Sequence, residues 1–300
     1  MRSFAVLDAP SNLGLRPPLP GTVPGCYKLA GALRDTGFVA AVGAEDAGCV
    51  TPPRYDRGDW QPGDGVFNAP AIARYTVKLA DRIGALLDAQ RFPVVLGGDC
   101  SILLGAALAM RRRGRFGVAY LDGHADLRHP GNDTTNDTVG AAAGEGLAQI
   151  TGRGQVDLTD IEGLRPYIRD DDVVVIGVRD ADDYLPELRS LGIAAWPESQ
   201  MRATGSGPAL ERLDGKDFWI HLDVDILAPE VMPAVDSPDP GGLSYAELET
   251  LLAALLASPR CVGMHVAIFD PDLDEDGRLA VELTTRLTAV IAAHKEPVTP

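Results

Sequence analysis

The chain has 300 residues, 45% of them apolar and 23% charged, which is the balance of an ordinary globular protein. Its net charge of −16 and the lack of a basic stripe argue against a nucleic-acid or anionic-membrane surface. No apolar run has the length of a membrane span, and the N-terminus is typical of a first strand, not of a signal peptide. Four cysteines without paired spacing predict free thiols in a reducing cytoplasm.

Segments with strand and helix patterns alternate along the chain. Short apolar runs predict strands at 3–8, 92–96, 116–121, 172–177, 193–195, 217–222 and 261–269. Helical spacing and capping signals predict helices at 25–36, 69–90, 102–113, 140–150, 183–191, 245–257 and 277–294. The long segment 45–68, rich in Pro, Gly and Asp, predicts a surface excursion such as a lid or an oligomer contact. The alternation predicts an α/β fold: one domain over residues 1–300 with a central, mostly parallel sheet flanked by helices.

Two clusters of acidic residues follow predicted strands. Asp122, His124 and Asp126 alternate after the first of these strands, and Asp223 and Asp225 alternate after the second. Alternate side chains of an extended chain point to the same side, so each cluster brings its polar groups together. Several carboxylates in a dry crevice repel one another, and a pair of divalent ions is the simplest compensation. Ligands in parallel sheets bind beyond the carboxyl ends of the strands, which is where both clusters lie.

Five segments resemble the motifs of the arginase family of ureohydrolases, in the family's order. The resemblance is carried by 97–101 (GGDCS), 122–126 (DGHAD), 176–182 (IGVRDAD), 221–225 (HLDVD) and the loop 229–242. It implies an arginase-like α/β fold and two divalent ions, usually Mn²⁺, that share a hydroxide as nucleophile. It implies that the first ion is held by Cys100, Asp122, Asp126 and Asp223, and the second by Asp122, His124, Asp223 and Asp225. It also implies that Asp126 orients the hydroxide, and that Asp182 and Ser237 contact the substrate.

The first departure from the family pattern is Cys100, which stands where the family has a metal-binding His. A thiolate is a softer ligand and would favour Zn²⁺ or Fe²⁺ at that position. The alternative is a buried, inert thiol beside a weakly occupied position. His221, on the same side of its strand as Asp223, is interpreted as a core residue that makes a hydrogen bond, with a compensating ligand as the other interpretation.

The second departure concerns the proton-transferring residue. Counted from Asp126 without a gap, the family's catalytic His falls on Val139, which cannot transfer protons. His129 is the nearest replacement in the sequence and is predicted to be catalytic. In the same register, the positions that hold the substrate become Arg128, Thr135 and Asp137.

The third departure is Ile268, which replaces the family's guanidinium-binding Glu on the last strand. A guanidinium would lose its main partner there, and Asp270 is the predicted substitute, with Asp272 and Glu282 as alternatives. Since the acidic clusters are kept and the guanidinium-specific residues are lost, hydrolysis of arginine itself is not expected.

The sequence therefore predicts a metal-dependent hydrolase of a linear, non-peptide C–N bond, amidine-, guanidine- or amide-like, in a small polar molecule. Two alternatives stay open: a mononuclear zinc amide hydrolase resembling the histone deacetylases, for which Tyr120 and Tyr245 are the candidate tyrosines, and an inactive ligand-binding family member. The resemblance further implies a homo-oligomer, a trimer or hexamer.

Overall fold

The computed structural model of the chain describes residues 2–133 and 139–295. In this part of the chain one parallel sheet of eight strands is flanked by helices, which confirms the predicted α/β fold. The strands are Phe4–Asp8 (β1), Glu45–Cys49 (β2), Phe92–Leu96 (β3), Gly117–Leu121 (β4), Val173–Ile176 (β5), Ala194–Trp196 (β6), Phe218–Asp223 (β7) and Cys261–Ala267 (β8). Their spatial order is β2-β1-β3-β8-β7-β4-β5-β6.

Helices cover both faces of the sheet. They are Leu29–Asp35 (α1), Phe38–Val42 (α2), Ala69–Asp88 (α3), Leu103–Arg111 (α4), Gly146–Ile150 (α5), Val156–Thr159 (α6), Leu185–Leu191 (α7), Glu198–Thr204 (α8), Gly207–Glu211 (α9), Tyr245–Ala257 (α10) and Arg278–Ala292 (α11). Side chains of α1, α2, α10 and α11 form one apolar core with the sheet, and those of α3 to α7 form a second. The central strands are buried on both faces, which is why they are continuous apolar runs in the sequence.

Several predicted bounds change in the structure. The segment predicted as one helix at 25–36 is a 3₁₀ turn at Gly25–Lys28 followed by α1. Within 140–150 only α5 is α-helical, after a 3₁₀ turn at Ala142–Glu145. The surface excursion predicted at 45–68 is partly wrong, because it begins with edge strand β2, which pairs in parallel with β1. None of the helices within 2–133 and 139–295 is both long and apolar enough to cross a lipid bilayer.

Four neighbouring parallel strands in the middle of the sheet, β3, β8, β7 and β4, have their carboxyl ends on the same side of the molecule. The chain that leaves β3 turns at Gly98, where a side chain could not fit because its Cβ would lie 1.7 Å from the carbonyl oxygen of Ser11. Cys100 follows this turn, Asp122 directly follows β4, and Asp223 is the last residue of β7. The fold thus brings three residues that are far apart in the sequence to one place.

Candidate active site

The first group of potential ligands lies at the ends of β3, β4 and β7. Cys100, Asp122, His221 and Asp223 each place one ligand atom within 4.8 Å of the others, and all four side chains are buried. The Cys100 Sγ donates to Asp223 Oδ2 at 2.7 Å. These contacts bring Cys100 together with Asp122 and Asp223, as the sequence predicts.

The second group shares Asp122 with the first and adds His124 and Asp225. The His124 backbone N–H donates to Asp122 Oδ1 at 2.7 Å, and the ring Nδ1 of His124 lies 2.9 Å from Asp225 Oδ2. Asp225 Oδ1 accepts from the Gly123 backbone N–H at 3.0 Å. The two groups are therefore adjacent positions of one site, held by the turns that follow β4 and β7.

The electrostatics of this site favour a cation. Burial, reinforced by repulsion from the neighbouring carboxylates, raises the pKa of Asp122 and that of Asp223 well above the usual range. Burial opposes a charge on His124, but its hydrogen bond to Asp225 and the charge of that carboxylate raise the His124 pKa to about 10. Burial likewise opposes a charge on Asp225, and the contact with His124 outweighs it, which lowers the Asp225 pKa.

The donor set fits divalent ions. Carboxylate oxygens and one imidazole suit hard and borderline cations such as Mn²⁺ and Zn²⁺, and the buried thiol of Cys100 adds a soft donor. The same cluster without a cation leaves carboxylates buried against one another, which is expensive. The residues present are thus suited to hold the two ions that the sequence predicts.

Asp126 belongs to neither group of potential ligands, but its side chain lines the cavity that opens above them. Its backbone has a φ of 47°, and its Oδ2 accepts from the Tyr120 hydroxyl at 2.6 Å. Burial raises the Asp126 pKa to about 7. Its predicted roles as ligand and as the residue that orients a nucleophile stay predictions.

A cavity of about 430 Å³ opens above the two ligand groups. Among the predicted substrate-binding residues, Arg128, Asp182 and Ser237 line it. Arg128 pairs with Glu145 at 2.7 Å and with Asp133, and the Asp182 carboxylate accepts from the backbone N–H groups of Ala125 and Tyr184. Thr135 and Asp137 lie outside the described residues.

Two predicted site residues lie away from this cavity. His129 does not line it: its Nδ1 accepts from the Gly131 backbone N–H at 2.9 Å, and its Nε2 lies 3.3 Å from Glu187. Asp270 also lies elsewhere and accepts from the backbone N–H groups of Gly25 and Asp272. The structure therefore does not bring His129 and Asp270 to the cavity, because both side chains are engaged in local turns, and their predicted roles stay predictions.

Three further residues with polar or ionisable side chains line the cavity and were not predicted from the sequence: Arg16, Tyr184 and Asp236. They lie in loops, where neither periodicity nor motif spacing indicates which way a side chain points. Their only signal is proximity in sequence to predicted site residues, Tyr184 to Asp182 and Asp236 to Ser237. Ile268 also lines the cavity, so the position that differs from the family pattern does face the site.

Comparisons with known proteins agree with this geometry. Residues 28–294 match the sequence profile of the Arginase family. The chain belongs to the arginase family. It is 28% identical to an arginase from Bacillus caldovelox over 295 residues, which cover 93% of this chain and 95% of that protein. It is 30% identical to a formimidoylglutamase from Aeromonas salmonicida (strain A449) over 284 residues, 86% of this chain and 83% of that protein.

The fold comparison leads to the same family. A solved structure of the Bacillus caldovelox arginase superimposes on the chain with a TM-score of 0.84 and 26% identity, covering 100% of both chains. As a member of the arginase family, the chain is a metal-dependent hydrolase that acts on C–N bonds other than peptide bonds.

Proposed function

We propose that this enzyme hydrolyses the C–N bond of an amidine-, guanidine- or amide-like group in a small polar substrate other than arginine. The observation that carries the proposal is the pair of adjacent ligand groups at the floor of a cavity of about 430 Å³. That volume suits a small metabolite and leaves little room for a polymer.

In this proposal Cys100, Asp122 and Asp223 hold one ion, and Asp122, His124 and Asp225 hold the other. Asp223 would also serve the second ion, as the family resemblance implies. Such ions, when bound, lower the pKa of a water molecule and so supply the nucleophile. Asp126 lies beside the ligands in the same cavity, where its carboxyl group would accept a hydrogen bond from the nucleophilic water and so orient it. The Tyr120 hydroxyl fixes the orientation of that carboxyl group.

Two side chains at the cavity, Ile268 and Arg16, favour a substrate with an anionic end over a guanidinium, although the lining also contains the carboxylates of Asp182 and Asp236. Ile268 offers no charge to a guanidinium at the position where the family pattern has an acid. Arg16 is exposed at the cavity and, within the described residues, has no carboxylate within 4.0 Å, although its charge acts on the neighbouring carboxyl group of Asp236. A carboxylate on the substrate would find its partner there, as the carboxylates of formimidoylglutamate would.

The test begins with metal stripping and reloading with Mn²⁺ or Zn²⁺. The ions per chain are counted by elemental analysis, and hydrolysis is assayed on arginine, formimidoylglutamate, simple amidines and acetylated amines. We expect two ions per chain, turnover of an amidine or amide with an anionic end, and none of arginine. Asp223→Ala removes a residue shared by both ions and should abolish metal uptake and turnover. The control Asp217→Ala changes an exposed carboxylate at the start of β7 and should behave as wild type.

One observation favours a second candidate, a mononuclear zinc amide hydrolase. The thiol of Cys100 is the kind of soft donor that zinc selects. The tyrosine that the deacetylase resemblance requires is not supplied by Tyr245, which lines a separate cavity, whereas Tyr120 is engaged with Asp126. Tyr184 lines the cavity and is therefore a better candidate than Tyr245 or Tyr120.

The metal count distinguishes the alternatives. One zinc per chain with amide turnover would favour the mononuclear enzyme, and stoichiometric metal with no turnover would favour a binding protein.

A further inference from the structure

Three buried side chains form a line beneath the ligand groups. Trp219 and His221 lie two residues apart on β7, and His265 lies on β8 directly opposite His221 in the register. All three are at most 1% exposed. The indole has room because residue 263 is a glycine, whose Cβ, if present, would lie 2.1 Å from the Trp219 ring.

The contacts along this line end at Asp122. The Trp219 Nε1–H donates to His265 Nδ1 at 2.8 Å. The Nε2 of His265 lies within hydrogen-bond distance of the Nδ1 of His221. The Nε2 of His221 lies 3.4 Å from Asp122 Oδ2. Each ring nitrogen of both histidines therefore faces one partner.

The direction of these hydrogen bonds follows from the indole, which can only donate. His265 must accept at Nδ1, so the proton of its neutral ring is on Nε2 and is donated to His221. His221 accepts that bond at Nδ1 and has its own proton on Nε2, which faces Asp122. Because each Nδ1 accepts a hydrogen bond and so carries no proton, each ring is neutral with its single proton on Nε2.

We propose that the Trp219–His265 pair fixes His221 as an Nε2–H donor that orients Asp122, and that His221 is a positioning residue and not a metal ligand. Its Nε2 lies close enough to Cys100 and Asp223 to suggest a ligand by distance alone. Binding an ion through that atom would move the proton of His221 to Nδ1. His265 would then carry its own proton on Nδ1 and face the indole N–H, donor against donor in a dry interior.

The consequence concerns how Asp122 is held. Its Oδ2 faces the His221 Nε2–H and its Oδ1 accepts from the His124 backbone N–H, so both oxygens are oriented by the protein. Hydrogen bonds of this kind set the angle at which a carboxylate meets an ion. The metal role of Asp122 rests on the proposed function, whereas the tautomer of His221 does not.

The direct test is the tautomer. Long-range ¹H–¹⁵N correlation spectra of ¹⁵N-histidine-labelled protein report which nitrogen of each ring is protonated. Spectra of His124→Asn, His129→Asn and His294→Asn each lack one signal set, and the spectrum of His221→Gln separates the two that remain, so all five histidines are assigned. We expect His221 and His265 to be Nε2–H tautomers before and after addition of diamagnetic Zn²⁺. A deprotonated Nε2 on His221, either before or after zinc is added, would overturn the proposal.

Two pairs of variants separate this role from a structural one. Trp219→Phe removes only the fixed donor and should yield a mixture of His221 tautomers. The control is Trp196→Phe: the indole N–H of Trp196 has no partner among the described residues, so its removal should leave the tautomers unchanged.

The second pair of variants measures zinc affinity. His221→Gln keeps a donor and should bind zinc almost as wild type, whereas His221→Leu should bind it roughly 10–100-fold more weakly. Equal losses in Gln and Leu would contradict a donor role.

The outcomes also distinguish this inference from the proposed function. If neither Mn²⁺ nor Zn²⁺ binds wild-type protein, the proposed function fails, yet the spectra of the metal-free protein still decide the tautomer. If Trp219→Phe does not fold, the wild-type spectra alone remain decisive.

Discussion

Ile268 has an unusual backbone conformation, and its apolar side chain stands where the family pattern has an acidic one. Its φ is 77°, a region that a β-branched residue rarely adopts, and its side chain is 4% exposed. Strain of this kind costs about 1–3 kcal/mol and persists only where the surroundings determine it. Here the Ile268 N–H donates to the Gly98 carbonyl at 2.7 Å, and Gly98 is in turn pressed against Ser11. The strained position is thus part of the wall of the cavity.

Ile268→Glu should give the cavity an affinity for guanidinium compounds. The new carboxylate would offer a charge-assisted hydrogen bond worth about 1.5–3 kcal/mol, which corresponds to roughly tenfold or more in affinity. Calorimetric titration of the metal-loaded protein with arginine measures it. The control Ile268→Gln has the same length without the charge, so an equal gain in both variants would show that polarity and not charge is responsible.

At the residue scale, the sequence predicted the part of the site that is fixed by strands. Alternation after β4 and β7 places Asp122, His124, Asp223 and Asp225 at one sheet edge, and the structure brings these four together. The structure does not bring His129 to the cavity, since distance along a loop says nothing about the direction of a side chain.

At the scale of elements, α10 is the helix whose start is most clearly encoded. Ser244 and Glu247 form a capping box: the Ser244 side chain accepts from the Glu247 N–H, and Glu247 accepts from the Ser244 N–H. Ser244→Ala should lower the free energy of unfolding by about 1 kcal/mol, because it leaves helix N–H groups without a partner. Urea titration followed by circular dichroism measures this. Thr250→Ala, an exposed change within the same helix, should have a much smaller effect.

The entry into β5 depends on one buried carboxylate. Asp172 pairs with Arg115 at 2.6 Å and with Lys216 at 2.7 Å. Burial opposes the charge, but the hydrogen bonds from these two cations outweigh it, and the pKa of Asp172 is lowered. A lowered pKa stabilises the fold above the pKa of the unfolded chain, roughly pH 4, and the stabilisation is lost as the pH falls through the folded-state value.

Asp172→Asn should therefore cost about 1–3 kcal/mol at pH 7, with the partial exposure of its partners limiting the loss. The difference from wild type should shrink progressively below roughly pH 4. Denaturant titrations at a series of pH values give the comparison. Asp171→Asn removes the neighbouring exposed carboxylate, which also contacts Arg115, and serves as the control. A constant difference at all pH values would mean that the charge of Asp172 is not what stabilises β5.

Strands and helices could be predicted from the sequence where they bury an apolar face, and not where they are short or exposed. The central strands are found within a few residues of their predicted bounds because burial on both faces demands continuous apolar runs. β2 has the sequence EDAGC and is largely exposed at the sheet edge, so backbone pairing with β1 alone defines it. The short helices α2, α6, α8 and α9 were missed for a related reason, since one or two turns show no clear period.

At the scale of the whole molecule, the net charge of −16 bears on assembly. Like-charged copies repel, so the homo-oligomer that the family resemblance implies, a trimer or hexamer, should be favoured by salt that screens the repulsion. Light scattering coupled to size-exclusion chromatography at low and moderate ionic strength measures the mass. A monomer under both conditions would contradict the proposed assembly.

Metal loading should stabilise the entire fold, because the ligand groups join β3, β4 and β7 at the middle of the sheet. An ion that binds only the folded chain at a concentration a hundredfold above its dissociation constant adds about 2.7 kcal/mol. For a chain of this length that corresponds to a rise of about 4 °C in Tm per ion. Scanning calorimetry of stripped and Mn²⁺- or Zn²⁺-loaded protein measures the rise. Asp223→Ala should lose it and Asp217→Ala should retain it, so an undiminished rise in Asp223→Ala would place the stabilising ion elsewhere.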